Sequence, residues 1–143
     1  MQSQTVREVM TADPVALSAD TSLVEAARAM RDRDVGAIIV LRSDGDTVCG
    51  VVTDRDIAMR AVADGWHPRR TRLDDVCSHE LVTLGPDDPV ERAVELMRQH
   101  AVRRLPVVDD SNHPLGIVSL GDLALERDPG SALGGISAAE PNR

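Results

Sequence analysis

The chain has 143 residues, 42% hydrophobic and 28% charged, the balance of a globular protein long enough to bury a real core in one unit or two small ones. Its 16 basic residues are all arginine, which excludes a P-loop lysine, a Schiff-base lysine and a kinase lysine; with Trp66 as its only aromatic residue it cannot build a base-stacking platform. A net charge of -8 argues further against direct nucleic-acid binding. The N-terminal stretch is polar and the longest apolar runs, such as Ala37 to Leu41, are short, so neither a signal peptide nor a membrane span is expected. Cys49 and Cys77 are far apart in sequence, which argues against a disulfide framework or a zinc ribbon and for a cytoplasmic chain. His67, His79, His100 and His113 are equally scattered, and Cys77 and His79 are expected at the surface rather than on a metal.

In chain order, Thr5 to Met10 predicts one helical turn, which Asp13-Pro14 breaks before a short strand at Val15 to Leu17. Leu23, Ala26, Ala27 and Met30 recur at i, i+3, i+4 and i+7, predicting a helix from about Ser22 to Asp32 with Thr21 or Ser22 as its cap. Strands follow at Ala37 to Leu41 and Val48 to Val52 around the turn Ser43 to Asp46, and then a helix over Ile57 to Ala63. Residues 65–72, with Gly, Pro and three Arg, form a surface linker.

The same order then returns. Leu73 to Cys77 mirrors Val6 to Met10, Leu81 to Leu84 is a strand, and Val90, Ala93, Val94 and Met97 repeat the helical spacing at a shift of 67 positions. Asp88, Pro89 and Glu91 supply that helix with a cap, an N1 proline and a capping-box acid. Leu105 to Val108 and Leu115 to Ser119 are strands around Asp109 to Pro114. The expected organisation is a mixed α/β (α+β) fold of two tandem β-α-β-β-α repeats over residues 5–64 and 73–127, with a mobile tail over 128–143.

At the end of each repeat stands one motif, GVVTDRD at Gly50 to Asp56 and GIVSLGD at Gly116 to Asp122, where a strand pattern gives way to a helix pattern. The hydroxyl and the acid, three residues apart, face the space before a helix start, where unpaired N–H groups and the positive end of the helix dipole suit phosphate. A carboxylate there can accept both hydrogen bonds of a ribose diol. The same residues also match a capping box, Thr53 with Asp56 and Ser119 with Asp122, so a cap and a nucleotide site both stand open.

A tandem repeat with this motif at each strand-to-helix junction resembles a pair of CBS domains, a Bateman module, and HAVRRLPVVD (His100 to Asp109) and VGAIIV (Val35 to Val40) resemble strand-opening segments of that family. The resemblance covers about Thr5 to Glu126 and is nearest to small stand-alone bacterial proteins. It implies a pseudo-twofold, disc-like module whose central cleft offers two sites for AMP, ADP, ATP or other adenosyl compounds, acting as regulatory ligands with no cofactor required. Under it, Asp56 and Asp122 bind ribose, Thr53 and Ser119 bind phosphate, and Arg55, Arg103 and Arg104 reach the phosphates. The adenine would lie on main-chain groups near Val15, Ala16 and Leu17 with Ala37, Ile38 and Ile39 in one site, and near Val82, Thr83 and Leu84 with Arg104, Leu105 and Pro106 in the other. The first motif is expected to be the stronger phosphate site. The implied partners are a second copy of the chain, packed through helices that carry the stripe Ala26, Ala27, Met30, Ala93, Val94 and Met97, part of which must instead serve the internal core, and a protein that senses the ligand. A structural dimerisation module with empty clefts is the other reading, and an enzyme is not expected because Ser119 and Asp122 have no His at a family-matched position and no catalytic carboxylate pair or metal cluster is apparent.

Overall fold

The computed structural model describes residues 4–77 and 81–127; the expectations for His79 and for the tail over 128–143 lie outside the described residues. In chain order the elements are α1 (Val6–Val9), β1 (Thr11–Ala12), β2 (Ala16–Ser18), α2 (Leu23–Arg33), β3 (Ala37–Leu41), β4 (Val48–Thr53) and α3 (Asp54–Asp56), which continues as a π-helix over Ile57–Val62. They are followed by α4 (Leu73–Val76), α5 (Val90–His100), β5 (Arg104–Val108), β6 (Pro114–Ser119) and α6 (Leu120–Arg127). No helix among the described residues is long and apolar enough to cross a membrane.

The chain forms two compact units. The first comprises the described residues of Pro14–Leu81 with Asn112–Pro114. Its sheet has the order β2-β3-β4, with β2 parallel and β4 antiparallel to β3. Helix α2 starts where Ser22 Oγ accepts the Glu25 N–H (3.3 Å) and stops at Asp34, whose left-handed backbone (φ 58°) ends the helix. Its buried Leu23, Ala26 and Met30 join Ile38, Val40 and Val52 of the sheet in one core, while Ala27 faces solvent. Leu73 and Val76 of α4 complete that core. The segment before α4 also caps α2, because the Leu23 and Val24 N–H groups donate to the carbonyls of Thr71 and Pro68.

The second unit holds the described residues of Met1–Asp13, Val82–Ser111 and Leu115–Arg143, with the sheet order β1-β6-β5. Val6 of α1 is fully buried there with Leu84, Ala93, Met97, Leu105 and Val118. Of the six stripe residues, Ala26, Met30, Ala93 and Met97 serve the internal cores, Val94 is half-buried and Ala27 is exposed.

Two local expectations are corrected here. Asp88 does not cap α5: its carboxylate accepts the Gly85 N–H (2.8 Å), Pro89 takes the N-cap position, and the Val90 N–H is satisfied by the Gln4 carbonyl (3.0 Å). The expected strand at Leu81 to Leu84 shrinks to one parallel bridge, Leu84 to Val107. In the first unit the Ile39 N–H donates to the Val15 carbonyl (2.9 Å), and the residue 67 positions after Ile39 is Pro106, which has no N–H to give Val82.

Gly116 explains one invariant of the repeated motif. A Cβ there would stand 2.6 Å from Met10 Sδ and 2.8 Å from the Thr11 carbonyl, because β1 lies antiparallel against it with Ala12 opposite Gly116. Gly116→Ala is expected to cost about 1 to 3 kcal/mol, read as a lower urea midpoint with an unchanged slope.

Cys77, expected at the surface, is buried in the first core. Burial first, then the nearby Cys49 and Asp74, push its thiol up to about 11. The unfolded thiol ionises earlier than the buried one, so the folded chain holds more protons in that window and stability is expected to fall as the pH rises from about 9 to about 11. Urea midpoints across this range, with Cys77→Ala flattening the fall, check the expectation.

Candidate functional site

In the first unit three strands bring their relevant ends together. Thr53, the last residue of β4, lies opposite Ala37, the first of β3, and the Asp54 N–H donates to the Gly36 carbonyl (3.0 Å). The Ile39 N–H bond to Val15 fixes the approach to β2, in which Ala16 pairs with Ile39 and Leu17 with Val40. Val15, Ala16, Leu17, Ala37, Ile38, Ile39, Thr53, Arg55 and Asp56 thus all belong to one unit and gather around one end of its sheet. Ile38 and Ile39 are fully buried, main chain included, and the Ile39 N–H is held by the Val15 carbonyl.

The motif closes on itself as a reciprocal box. The Thr53 N–H donates to Asp56 Oδ2 (2.9 Å) and the Asp56 N–H donates to Thr53 Oγ1 (3.1 Å). Asp54 Oδ1 accepts the Arg55 N–H (2.8 Å). All three N–H groups of the first turn therefore have acceptors within the chain, which corrects the expectation of a turn rich in unpaired donors. A phosphate would first have to displace the Asp54 carboxylate. Arg55 points from the exposed side of this turn and makes no ion pair among the described residues.

The second motif repeats the box in the second unit. The Ser119 N–H donates to Asp122 Oδ2 (2.9 Å), and the Asp122 N–H donates to Ser119 Oγ (3.0 Å). The Leu120 N–H is held by the Arg103 carbonyl (2.8 Å), as Asp54 is by Gly36. Here the turn differs. Leu120 stands where the first motif has Asp54, so the Gly121 N–H meets no side-chain carboxylate and has no acceptor among the described residues. Arg103 is exposed and Arg104 half-buried, and neither forms an ion pair among the described residues. Val82, Thr83, Leu84, Leu105 and Pro106 join them, with the Leu84 N–H donating to the Pro106 carbonyl (3.0 Å) and the Val108 N–H to the Leu84 carbonyl (2.9 Å).

Thus the candidate residues sort into two sets, one in each unit, and the arginine pair belongs with Ser119 and Asp122. Sequence reading did not single out the carbonyls of Gly36 and Arg103 as the acceptors that dock each motif onto its sheet. The signal was the position itself, one residue before β3 and one before β5, at a shift of 67. Chemically each set offers a carboxylate with a second oxygen to spare, a hydroxyl and main-chain groups, the makings of a polar ligand seat. No group of three His, Cys, Asp or Glu side chains that could hold a metal occurs among the described residues.

Comparison with known proteins gives a consistent picture. The model of the CBS domain matches the chain twice, over residues 6–62 and 73–127. The CBS domain-containing protein YhcV of Bacillus subtilis is 42% identical over 136 residues, spanning 92% of this chain and 94% of that protein. Among solved structures, a CBS domain protein from Pyrobaculum aerophilum complexed with AMP superposes with a TM-score of 0.79 at 29% identity, covering 87% of this chain and 93% of its own. A CBS domain pair in complex with 5'-methylthioadenosine and S-adenosyl-L-methionine matches the fold with a TM-score of 0.77 at 22% identity, over 86% of this chain and 94% of its own.

Proposed function

Because the chain belongs to the CBS-domain family, we propose that it is a regulatory, non-catalytic module that binds an adenosine-containing nucleotide or adenosyl compound and signals its presence to a partner protein. The observation that carries this reading is the paired motif: in both units a carboxylate is fixed by a reciprocal hydrogen-bond box with only its Oδ2 engaged among the described residues. Its Oδ1 is the acceptor for ribose. Of the two seats, the second suits phosphate better, since it combines the Gly121 N–H with Arg103 and Arg104, whereas Asp54 fills the equivalent space in the first. This reverses the order expected from sequence, and the reason is the Asp54 carboxylate bond to the Arg55 N–H. The AMP found with the Pyrobaculum aerophilum protein makes AMP the first ligand to try.

A thermal-shift series on the full chain with AMP, ADP, ATP and S-adenosylmethionine tests the reading. A ligand of the native state raises the melting temperature by mass action. No shift with any of them at millimolar concentration would favour the second reading, a structural dimerisation module. One observation supports that alternative: both boxes are satisfied within the chain, which is what a pure helix cap requires.

We further infer a cytoplasmic homodimer. With much of the expected stripe buried in the chain's own cores, Met59 and Val62 of the π-helix, 59% and 69% accessible, are the most exposed of the large apolar residues among those described, and we assign them to the contact with a second copy. Light scattering at micromolar concentration should give twice the chain mass, and a monomer mass would remove this part of the reading.

A further inference from the structure

Cys49 and Cys77 stand 28 positions apart and nothing in their spacing pairs them. The fold does. In the β3–β4 ladder Val40 lies opposite Gly50 and Leu41 opposite Val48, so Cys49 is the extra residue of a β-bulge. A bulge breaks the strict alternation of faces and re-aims the side chain it carries. Cys49 packs against the first unit's core, and Cys77, at the C-terminal end of α4, is buried in that same core. Asp74 raises the pKa of both thiols after burial, and the charge of Cys49 is felt at Cys77, so the two sulfurs share one neighbourhood. Both are free thiols, and no third ligating side chain joins them among the described residues to make a metal site.

We propose that Cys49 and Cys77 are a redox pair that closes to an intramolecular disulfide, tying the bulge of β4 to the end of α4. Cys49 is the half-exposed member and reacts first. Its thiolate attacks one sulfur of a small disulfide such as oxidised glutathione, forming a mixed disulfide and releasing one glutathione thiolate. The Cys77 thiolate then attacks Cys49 Sγ, the protein disulfide forms, and the second glutathione leaves. Two protein thiols are oxidised, one glutathione disulfide is reduced, and the two protons end on the two glutathione thiols. Because burial holds Cys77 in the thiol form, the second step is slow at neutral pH and faster in mild alkali.

The bridge would brace a strand that carries function. Thr53 lies four residues beyond Cys49 on β4, and the Arg60 guanidinium of the π-helix donates to the carbonyl of Val76, next to Cys77 (3.0 Å). Closing it therefore ties together the strand that enters the first motif and the segment that contacts the helix leaving it.

The test is to incubate the full chain with oxidised glutathione at about pH 8.5, where more thiolate is present, then block, digest with trypsin without reduction and weigh the peptides. Cleavage at arginine puts the two cysteines on separate peptides, 43–55 and 73–92. The expected result is one cross-linked species two hydrogen masses below the sum of the two peptides, in a chain that carries neither glutathione nor a covalently linked second chain, with both thiols lost together. Cys49→Ser should leave Cys77 unmodified under the same conditions. A stable glutathione adduct on Cys49 with Cys77 still free, a disulfide between two chains through Cys49, or no thiol loss at all would each overturn the proposal. Cys49 is only half-buried, so its serine variant keeps the test open even if Cys77 cannot be replaced without unfolding.

Discussion

Asp122→Asn is expected to weaken AMP binding by about tenfold or more while leaving the fold close to that of the parent chain. The reasoning separates two roles of one carboxylate. Oδ2 holds the Ser119 N–H at 2.9 Å, and an asparagine carbonyl can accept that bond equally well. The second oxygen is the one assigned to ribose, and asparagine puts an NH2 group there, a donor facing a hydroxyl that should itself donate. A hydrogen bond to a charged group contributes roughly 1.5 to 3 kcal/mol, which is about tenfold or more in affinity. Asp56→Asn should show a smaller loss, because the first motif lacks the open Gly121 N–H and the arginine pair. Asp122→Ala, in contrast, removes the cap as well and should cost about 1 kcal/mol of stability. Calorimetry with AMP on the parent and the two asparagine variants decides the matter. Unchanged affinity in both, with AMP bound by the parent, would mean that the carboxylates are caps and that the nucleotide sits elsewhere.

Truncating one residue of each short helix should loosen the unit that its side chain enters rather than the repeat that encodes it. Val6 belongs to the first repeat by sequence, yet it is fully buried among second-unit residues; Leu73 opens the second repeat and is fully buried in the first unit. Val6→Ala and Leu73→Ala each remove core methyl groups and leave a cavity, and Leu73→Ala is expected to cost about 2 to 5 kcal/mol, with Val6→Ala below that. The location of the loss is the informative part. Amide exchange should quicken in α5, β5 and β6 for Val6→Ala, and in α2, β3 and β4 for Leu73→Ala. Loosening confined to the neighbours in sequence would contradict the packing described here.

A repeat is a unit of sequence and a compact unit is a unit of packing, and the difference marks what each level of description decides. The chain's periodicity was sufficient for α2, whose Leu23, Ala26 and Met30 are buried in the order the helical spacing requires, and the short apolar runs bounded by turn residues were sufficient to place β3 and β4 within a residue of their observed bounds. The hydroxyl and acid of each motif were legible for the same reason: a capping box is local, formed by residues three apart, so sequence spacing determines its geometry. The family resemblance was likewise carried by local pattern at a constant shift.

What sequence could not determine were the contacts made by residues distant along the chain. That α2 is capped by the carbonyls of Pro68 and Thr71, and α5 by that of Gln4, depends on where a preceding or following segment comes to rest. The burial of Ala26, Met30, Ala93 and Met97 inside their own units, rather than against a second copy, is a matter of which sheet covers a helix face, and a hydrophobic stripe reads the same in either case. The shortened strand at Leu84 follows from a proline on a different strand, and neither the bulge at Cys49 nor the packing of Cys49 and Cys77 at one core is announced by residue type. At the motif, the Arg55 and Asp56 N–H groups are taken by the neighbouring Asp54 and Thr53 side chains, and only the Asp54 N–H bond to the Gly36 carbonyl depends on a distant residue. Hydrogen-bond partners and burial between residues distant along the chain are set by positions in space, and that is why only the tertiary structure supplies them.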